Sequence, residues 1–384
     1  MPIDLERAEA GFAASTDGTV GIEEEFAILD PHSLDLAPRF EELRDAGLPD
    51  PQLAVGIAGE LIASEIEIRS GAGADLHDAL RLQRDMRTRL FALAAERETA
   101  LGSTGTHPWA DYRHQPNIDT EHYRRVVDGL QYVARRNNTF ALHVHVGVHG
   151  ADRAVRVCDR LRPVLPLLLA IGANSPFLED RDAGLHSVRT QTFTKSFPRC
   201  GVPDAYGSWA AYRAYLEFLI ATDSIIEDTQ VWWSIRPHLA FGTVEVRICD
   251  AQSTAGESDA LSSLIAACVL QAARDEDDGV PFTDPAPRLV EENMWRAIRH
   301  GRDGRLIDLE CAEEFAAADV TARLLDWTAP VRAEYRIDPT FPDLNGAQRQ
   351  RAMRAERASL REVYTAAVEE TRRTFSSPEE VSVR

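Results

Sequence analysis

Four stretches of the chain alternate apolar and polar residues with the period of two that marks strands burying one face. In Thr19–Asp30, Val20, Ile22, Phe26 and Ile28 fall on one side, and Gly21, Glu23, Glu25 and Ala27 on the other. Ser64–Ser70 sets Ile66 and Ile68 against Glu65, Glu67 and Arg69. Thr139–Val148 sets Leu142, Val144, Val146 and Val148 against Ala141, His143, His145 and Gly147. Thr243–Asp250 sets Val244, Val246 and Ile248 against Glu245 and Arg247. Each strand thus has an apolar back and a front made almost only of carboxylate, imidazole or guanidinium groups.

The pattern predicts strands at 19–30, 61–69, 100–106, 138–148, 231–238 and 243–250. Amphipathic helices are expected near 75–98, 119–135, 151–172, 208–222 and 255–275, and the last third reads as helical at 287–300, 312–327 and 347–374. Strands that are apolar on one face only imply a sheet covered by helices on one side, with the open side as a concave working surface. No Pro- or Ser-rich linker, repeat or low-complexity tract interrupts the chain. The expected architecture is therefore α+β, with residues 1–18 as a loose lead-in and 19–384 as a single catalytic domain.

The front faces carry the candidate chemistry. Glu23 and Glu25 project from the same side of one strand, roughly 7 Å apart by strand rise. Carboxylates held that close raise each other's pKa, and a divalent cation between them removes the conflict. A hard oxygen site favours Mg2+ or Mn2+. Glu-rich solvated strand faces are common, and a lone His-x-His is more often structural than a ligand; recurrence on four strands favours the functional reading. The long polar segment from Ala173 through Pro203 has turn signals and little periodicity, as functional loops do. Its Arg181, Arg189, Lys195 and Arg199 are placed to hold phosphate or carboxylate groups, although loop arginines are as often simply solvated.

Charge and cysteine usage narrow the class. The formal net charge of −20 over 384 residues argues against a nucleic-acid partner. The five cysteines, Cys158, Cys200, Cys249, Cys268 and Cys311, form no Cys-x-x-Cys pair, which suits a reducing cytosol and argues against a disulfide framework or structural zinc. No stretch approaches a membrane span and the N-terminus lacks a basic-then-apolar signal, so a soluble cytoplasmic protein is expected. Oligomeric state is open, a homo-oligomer being one option. Neither a Gly-x-x-x-x-Gly-Lys-Ser/Thr loop nor a Gly-x-Gly-x-x-Gly fingerprint is present, and the zinc signature His-Glu-x-x-His is missing.

Six motifs in order carry a resemblance: Gly-Ile-Glu-Glu-Glu-Phe (21–26), His-Val-His-Val-Gly (143–147), Asn-Ser-Pro-Phe (174–177), Ser-Val-Arg (187–189), Trp-Trp-Ser-Ile-Arg-Pro (232–237) and Thr-Val-Glu-Val-Arg (243–247). Together they resemble the type 2 glutamate–cysteine ligase family, ATP-dependent carboxylate–amine ligases with a glutamine-synthetase-like catalytic domain. The resemblance implies an antiparallel sheet forming an acidic funnel that holds two or three Mg2+ ions. Glu23, His143 and Glu245 resemble the ligands of the ion beside the nucleotide phosphates. Glu25 and Glu67 resemble those of the ion that also touches the amino-acid substrate, with Glu65 as the alternative to Glu67. His145 matches an ATP contact, with Arg236 and the loop Arg199 as further candidates on the cofactor side. Arg247 and Arg189 resemble the arginines near the transferred phosphoryl group and the substrate carboxylate. The segment 177–184 departs from the aromatic, Gly and Thr residues expected there, which bears on the substrate more than on the chemistry.

The activity implied is formation of a γ-glutamyl amide from glutamate and an amine, with cysteine foremost, through an acyl phosphate, and the partners implied are amino acids and ATP. The alternatives are a carboxylate–amine ligase with other substrates, a guanidino phosphotransferase of the same superfamily, and a nucleotide- or metal-binding regulator without turnover.

Overall fold

The computed structural model describes residues 3–376. Seven strands form one sheet: β1 (Val20–Leu29), β2 (Ile57–Ala58), β3 (Glu65–Arg69), β4 (Ala100–Gly102), β5 (Ala141–Gly147), β6 (Ile235–His238) and β7 (Thr243–Asp250). Across the sheet they run β6, β7, β5, β1, β3, β2, with β4 also pairing to β1, and these pairings are antiparallel. The α+β architecture expected from the alternation is the one observed.

Helices cover the apolar back. α1 (Leu76–Glu96) starts at Asp75, whose carboxylate accepts from the Asp78 N–H at 2.8 Å. α2 (Ala151–Leu161) and α3 (Leu165–Gly172) lie in the region read as one helix over 151–172. Pro163 and Pro166, which lack the N–H an uninterrupted helix needs, coincide with the single 3-10 turn Arg162–Val164 that divides them. α4 (Ala255–Asp277), capped by Thr254, is buried along most of its length against this layer. Ile22, Leu142, Val144, Val244 and Val246 from the strands and Leu261, Leu264 and Ile265 from α4 belong to one buried apolar cluster.

Four expectations are corrected. Residues 1–18 are not a loose lead-in: Leu5–Ala14 is helical, with Leu5, Ala8 and Phe12 buried in the main core and Phe12 packed 5.8 Å from the Trp209 ring. The helix expected at 119–135 is broken at Gln131, where φ is +52°. The final third is not wholly helical, because Arg305–Asp308 and Glu313–Ala316 pair as a hairpin before a helix over Ala317–Tyr335. Asn293 holds that hairpin by both donating to the Ile307 carbonyl and accepting from its N–H, at 2.7 Å each. The helix read over 347–374 is divided into Gly346–Ala355 and Leu360–Phe375, the second opened by a Ser359–Glu362 capping box. Among the described residues no helix is long and apolar enough to cross a membrane.

Candidate active site

The register decides which front-face residues meet. Glu23 lies opposite His143, Glu25 opposite Glu67, and Glu245 opposite both His145 and Arg236. The alternation that put these groups on one face thus becomes a contiguous acidic floor. Above it is a cavity of about 350 Å³, lined by the five carboxylates Glu23, Glu25, Glu65, Glu67 and Glu245, by Glu60 from the preceding loop, and by His143, Arg69, Arg189, Arg236 and Arg247.

Two donor groups converge within it. Glu23, His143 and Glu245 offer ligand atoms within 4.8 Å of one another, and so do Glu25, Glu67 and His143. His143 stands between them: its Nδ1 is 3.3 Å from Glu23 and its Nε2 3.8 Å from Glu25. Burial, helped by the Arg247 charge, lowers the His143 pKa, so the ring is kept in the neutral form that ligates metals. Of the two candidates on β3, Glu67 falls within the second group and Glu65 in neither.

Electrostatics divide the carboxylates. Burial opposes ionisation of Glu23, but His145 and His143 outweigh it and hold Glu23 well below the usual range. Glu245 is likewise held low against burial by Arg236 and Arg247; Arg236 Nε lies 2.5 Å from Glu245, and Arg247 Nη1 bonds the other oxygen. On the opposite side the balance reverses. Burial and the Glu25 charge push Glu60 up to about 8; burial, Glu25 and Glu60 raise Glu65; burial, Glu23 and Glu60 raise Glu67, against the pull of Arg69. Enclosed carboxylates with this shortage of positive charge fit divalent cations of the Mg2+ or Mn2+ type.

The arginines are placed by the backbone around β7. A register shift between Val246 and Cys249 marks a bulge, and bulges of this kind re-aim side chains near active sites. Arg189 donates to the carbonyls of Ile248 at 3.1 Å and Arg247 at 3.3 Å, so its guanidinium closes over the bulge. Asp250 holds the segment that carries it, accepting from the Ser175 hydroxyl at 2.7 Å and the Ser187 hydroxyl at 2.8 Å; Ser187 also caps the helix Val188–Thr194. The Asn-Ser-Pro-Phe and Ser-Val-Arg motifs are thereby tied to β7. The Nε atoms of Arg189 and Arg247 are buried without a hydrogen-bond partner, two unused donors on one cavity.

The remaining predicted residues divide. His145 is not among the lining residues and stands behind them, 3.4 Å from Glu23 and 3.0 Å from the Thr243 hydroxyl, with the His238 and Phe241 rings beside it. Arg236 lines the cavity but is committed to Glu245 and to the Val231 carbonyl. Arg199 is not among the lining residues: it donates to the Gln230 carbonyl at 3.0 Å and its guanidinium lies 5.6 Å from the ring centre of Trp232, which does line the cavity. Glu60, Tyr123, His238 and Phe241 also line the cavity; His238 shares the Arg236 face of β6 and follows from alternation, whereas Glu60 and Phe241 sit in loops and Tyr123 on a helix and carry no such signal.

Comparison with known proteins agrees with this geometry. A family model described as "Glutamate-cysteine ligase family 2" matches residues 19–368. "Putative glutamate--cysteine ligase 2-3" of Rubrobacter xylanophilus is 38% identical over 371 residues, covering 94% of this chain and 99% of that protein. "Glutamate--cysteine ligase" of Halobacterium salinarum is 34% identical over 342 residues, covering 88% and 93%. Among solved structures, a glutamate–cysteine ligase from Francisella tularensis in complex with AMP aligns with a TM-score of 0.68 at 13% identity, over 95% of this chain and 90% of that one. That likeness places the fold among the glutamine-synthetase-like glutamate–cysteine ligases.

Proposed function

The chain belongs to glutamate–cysteine ligase family 2, and from that membership we propose that it is an ATP-dependent ligase joining the γ-carboxylate of glutamate to an amine through an acyl phosphate. Cysteine is the acceptor that the relatives' names supply. The observation that carries the reading is the pairing of two carboxylate–imidazole groups sharing His143 with two unpartnered guanidinium N–H donors on one cavity. We take residues 19–384 as one catalytic unit to which the helix Leu5–Ala14 is joined, since that helix, the strands and the helix Ala317–Tyr335 contribute to a common core.

Joining a carboxylate to an amine in water is uphill, so the carboxylate must first be activated. An oxygen of the γ-carboxylate attacks the terminal phosphorus of ATP and ADP leaves; the amine nitrogen then attacks the acyl carbon, phosphate leaves, and the nitrogen loses a proton. Glu23, His143 and Glu245 and, beside them, Glu25, Glu67 and His143 would hold magnesium or manganese, which would supply the charge neutralisation that phosphoryl transfer requires. The protein's own part is alignment and electrostatics. Arg247 and Arg189 offer their unused Nε–H donors to phosphoryl or carboxylate oxygens. His145 acts on the nucleotide side from behind the cavity wall, through Glu23 at 3.4 Å, while the stacked rings of His238 and Phe241 beside it form part of that wall.

The test is purified protein with ATP, Mg2+ and a panel of amino-acid and amine pairs, followed by nucleotide analysis and product mass. ADP, phosphate and an amide in equal amounts are expected. Stoichiometric AMP and pyrophosphate would place the enzyme in an adenylating class, and a phosphorylated guanidino product without amide would favour the phosphotransferase reading.

A further inference from the structure

We propose that Glu65 anchors the ammonium group of the acceptor amine, at a pole of the cavity that belongs to neither donor group. This rests on the carboxylate–amine ligase reading and names how its second substrate is held.

Glu65 lies opposite Ala27 on β1, one inward-facing position along from the Glu25–Glu67 pair. Ala27 offers no side-chain partner, so Glu65 is 1% exposed, lines the cavity, and leaves its Oε2 with no hydrogen-bond partner. The charged groups acting on it are the carboxylates Glu25, Glu60 and Glu67, Glu25 also through a side-chain hydrogen bond, and among the described residues no arginine is bonded to it. The free Oε2 is a buried acceptor that a donor from outside the protein can satisfy, and a cationic donor suits its acidic surroundings.

Two kinds of cation fit in charge and only one in donor set. Neither Glu65 nor Glu60 belongs to a group of three donors within 4.8 Å among the described residues, whereas Glu67 does. A small divalent ion, which demands near-octahedral oxygen coordination, finds a poorer site here than at the two groups beside it. A primary ammonium needs two or three acceptors and is favoured by an adjacent aromatic face. The wall next to this pole carries Leu61, Tyr123 and Val126. The Tyr123 hydroxyl is spent on the Gly59 carbonyl, which leaves the ring and its apolar neighbours as the surface offered to the substrate.

The cavity then has two poles of opposite sense. Unused donors of Arg189 and Arg247 receive an anion at one, and the unused acceptor of Glu65 receives a cation at the other. That polarity matches an acidic substrate activated at one end and a primary ammonium held at the other, which passes one proton to Glu65 to expose its lone pair before it attacks and loses the second as the amide forms.

The experiment uses the full chain and Glu65→Gln, which removes the charge at nearly constant volume. With cysteine, or with whichever amine the parent accepts best, the acceptor KM is expected to rise at least tenfold. The KM values for ATP and glutamate, and the Mg2+ concentration for half-maximal rate, stay within twofold. An unchanged acceptor KM overturns the inference while leaving the ligase reading intact; a raised Mg2+ requirement overturns it by making Glu65 a metal ligand. If Glu65→Gln does not fold, the same readouts on Glu65→Asp, which keeps the charge and draws it back by one methylene, decide with the same outcomes. A parent enzyme that forms no amide with any pair removes the ligase reading and this inference together.

Discussion

Arg87 grips Glu24 from behind the active site. Its Nε and Nη2 each donate to one carboxylate oxygen at 2.7 Å, and Glu24 is completed by Gln83 at 2.8 Å and by the Ser258 hydroxyl. Arg87 Nη1 continues to Asp259 at 2.6 Å. Glu24 sits between Glu23 and Glu25 but points the other way, into the apolar layer, where Arg87 is 1% exposed and Glu24 4%. The fork ties α1 and the start of α4 to the middle of the strand that carries the acidic floor.

Breaking that pair strands a buried charge. Arg87→Met is expected to destabilise the protein by about 3–5 kcal/mol, whereas the double variant Glu24→Gln, Arg87→Met recovers part of the loss because neither charge remains unpaired. Urea unfolding of the two variants checks this; equal stability of the single variant and the parent would show that the fork contributes nothing.

Metal and acidic floor should be linked. Chelation is expected to abolish ATP turnover, and Mg2+ or Mn2+ to raise the melting temperature, corresponding to about 2.7 kcal/mol at a hundredfold excess over the dissociation constant. Glu25→Gln relieves repulsion with Glu65 and Glu67, so the metal-free variant should melt no lower than the parent while its metal-induced rise shrinks and ligation is lost. Full turnover after exhaustive chelation, or an undiminished metal shift in the variant, contradicts this.

Arg247 is bonded to Glu245 through Nη1 and keeps Nε unused. Arg247→Lys preserves the charge and the pairing with Glu245 but removes the second donor. Turnover is expected to fall at least about tenfold, equivalent to about 1.4 kcal/mol of transition-state stabilisation. Steady-state kinetics with melting curves separates the roles: near-parental turnover with a small loss of stability would reduce Arg247 to an ion-pair partner.

His107 gives the fold a pH dependence away from the acidic floor. The buried ring donates from Nε2 to the Leu34 carbonyl at 2.7 Å, while Nδ1 accepts from the N–H groups of Trp109 and Ala110. A proton on Nδ1 would face two donors. Burial pushes the pKa down to about 4 from the ordinary 6.5. The unfolded chain therefore binds the proton first as pH falls. This contribution to stability is complete above 6.5 and is lost between 6.5 and 4, with a slope approaching about 1.4 kcal/mol per pH unit. Urea unfolding across that range, in the parent and in His107→Gln, should show a shallower slope in the variant; identical slopes would exclude His107 as the source.

The strand fronts were legible in the sequence because side-chain alternation is a local property of extended backbone. Glu23, Glu25, His143, His145, Glu245 and Arg247 could be placed on inward faces from spacing alone, and the family motifs gave them candidate roles. Part of the helix layout was legible too, including signals passed over: Pro163 and Pro166 inside 151–172, and the Leu5, Ala8, Phe12 spacing of the N-terminal helix. Alternation puts Glu24 on the back face between Ile22 and Phe26, but nothing near it in sequence announces its partner Arg87, 63 positions away.

Which residues share a ligand group depends on pairing register, a long-range quantity. A slip of one residue would turn every front group to the back. Only the tertiary structure sets His143 between Glu23 and Glu25, separates Glu67 from Glu65, commits Arg199 to Gln230 and Trp232, and brings Glu60 and Tyr123 to the cavity from a loop and a helix. The sequence determined which groups face inward, since that follows from neighbours along one strand. Their grouping into two donor sets and two poles was decided by contacts between segments far apart in the chain, which local pattern cannot encode.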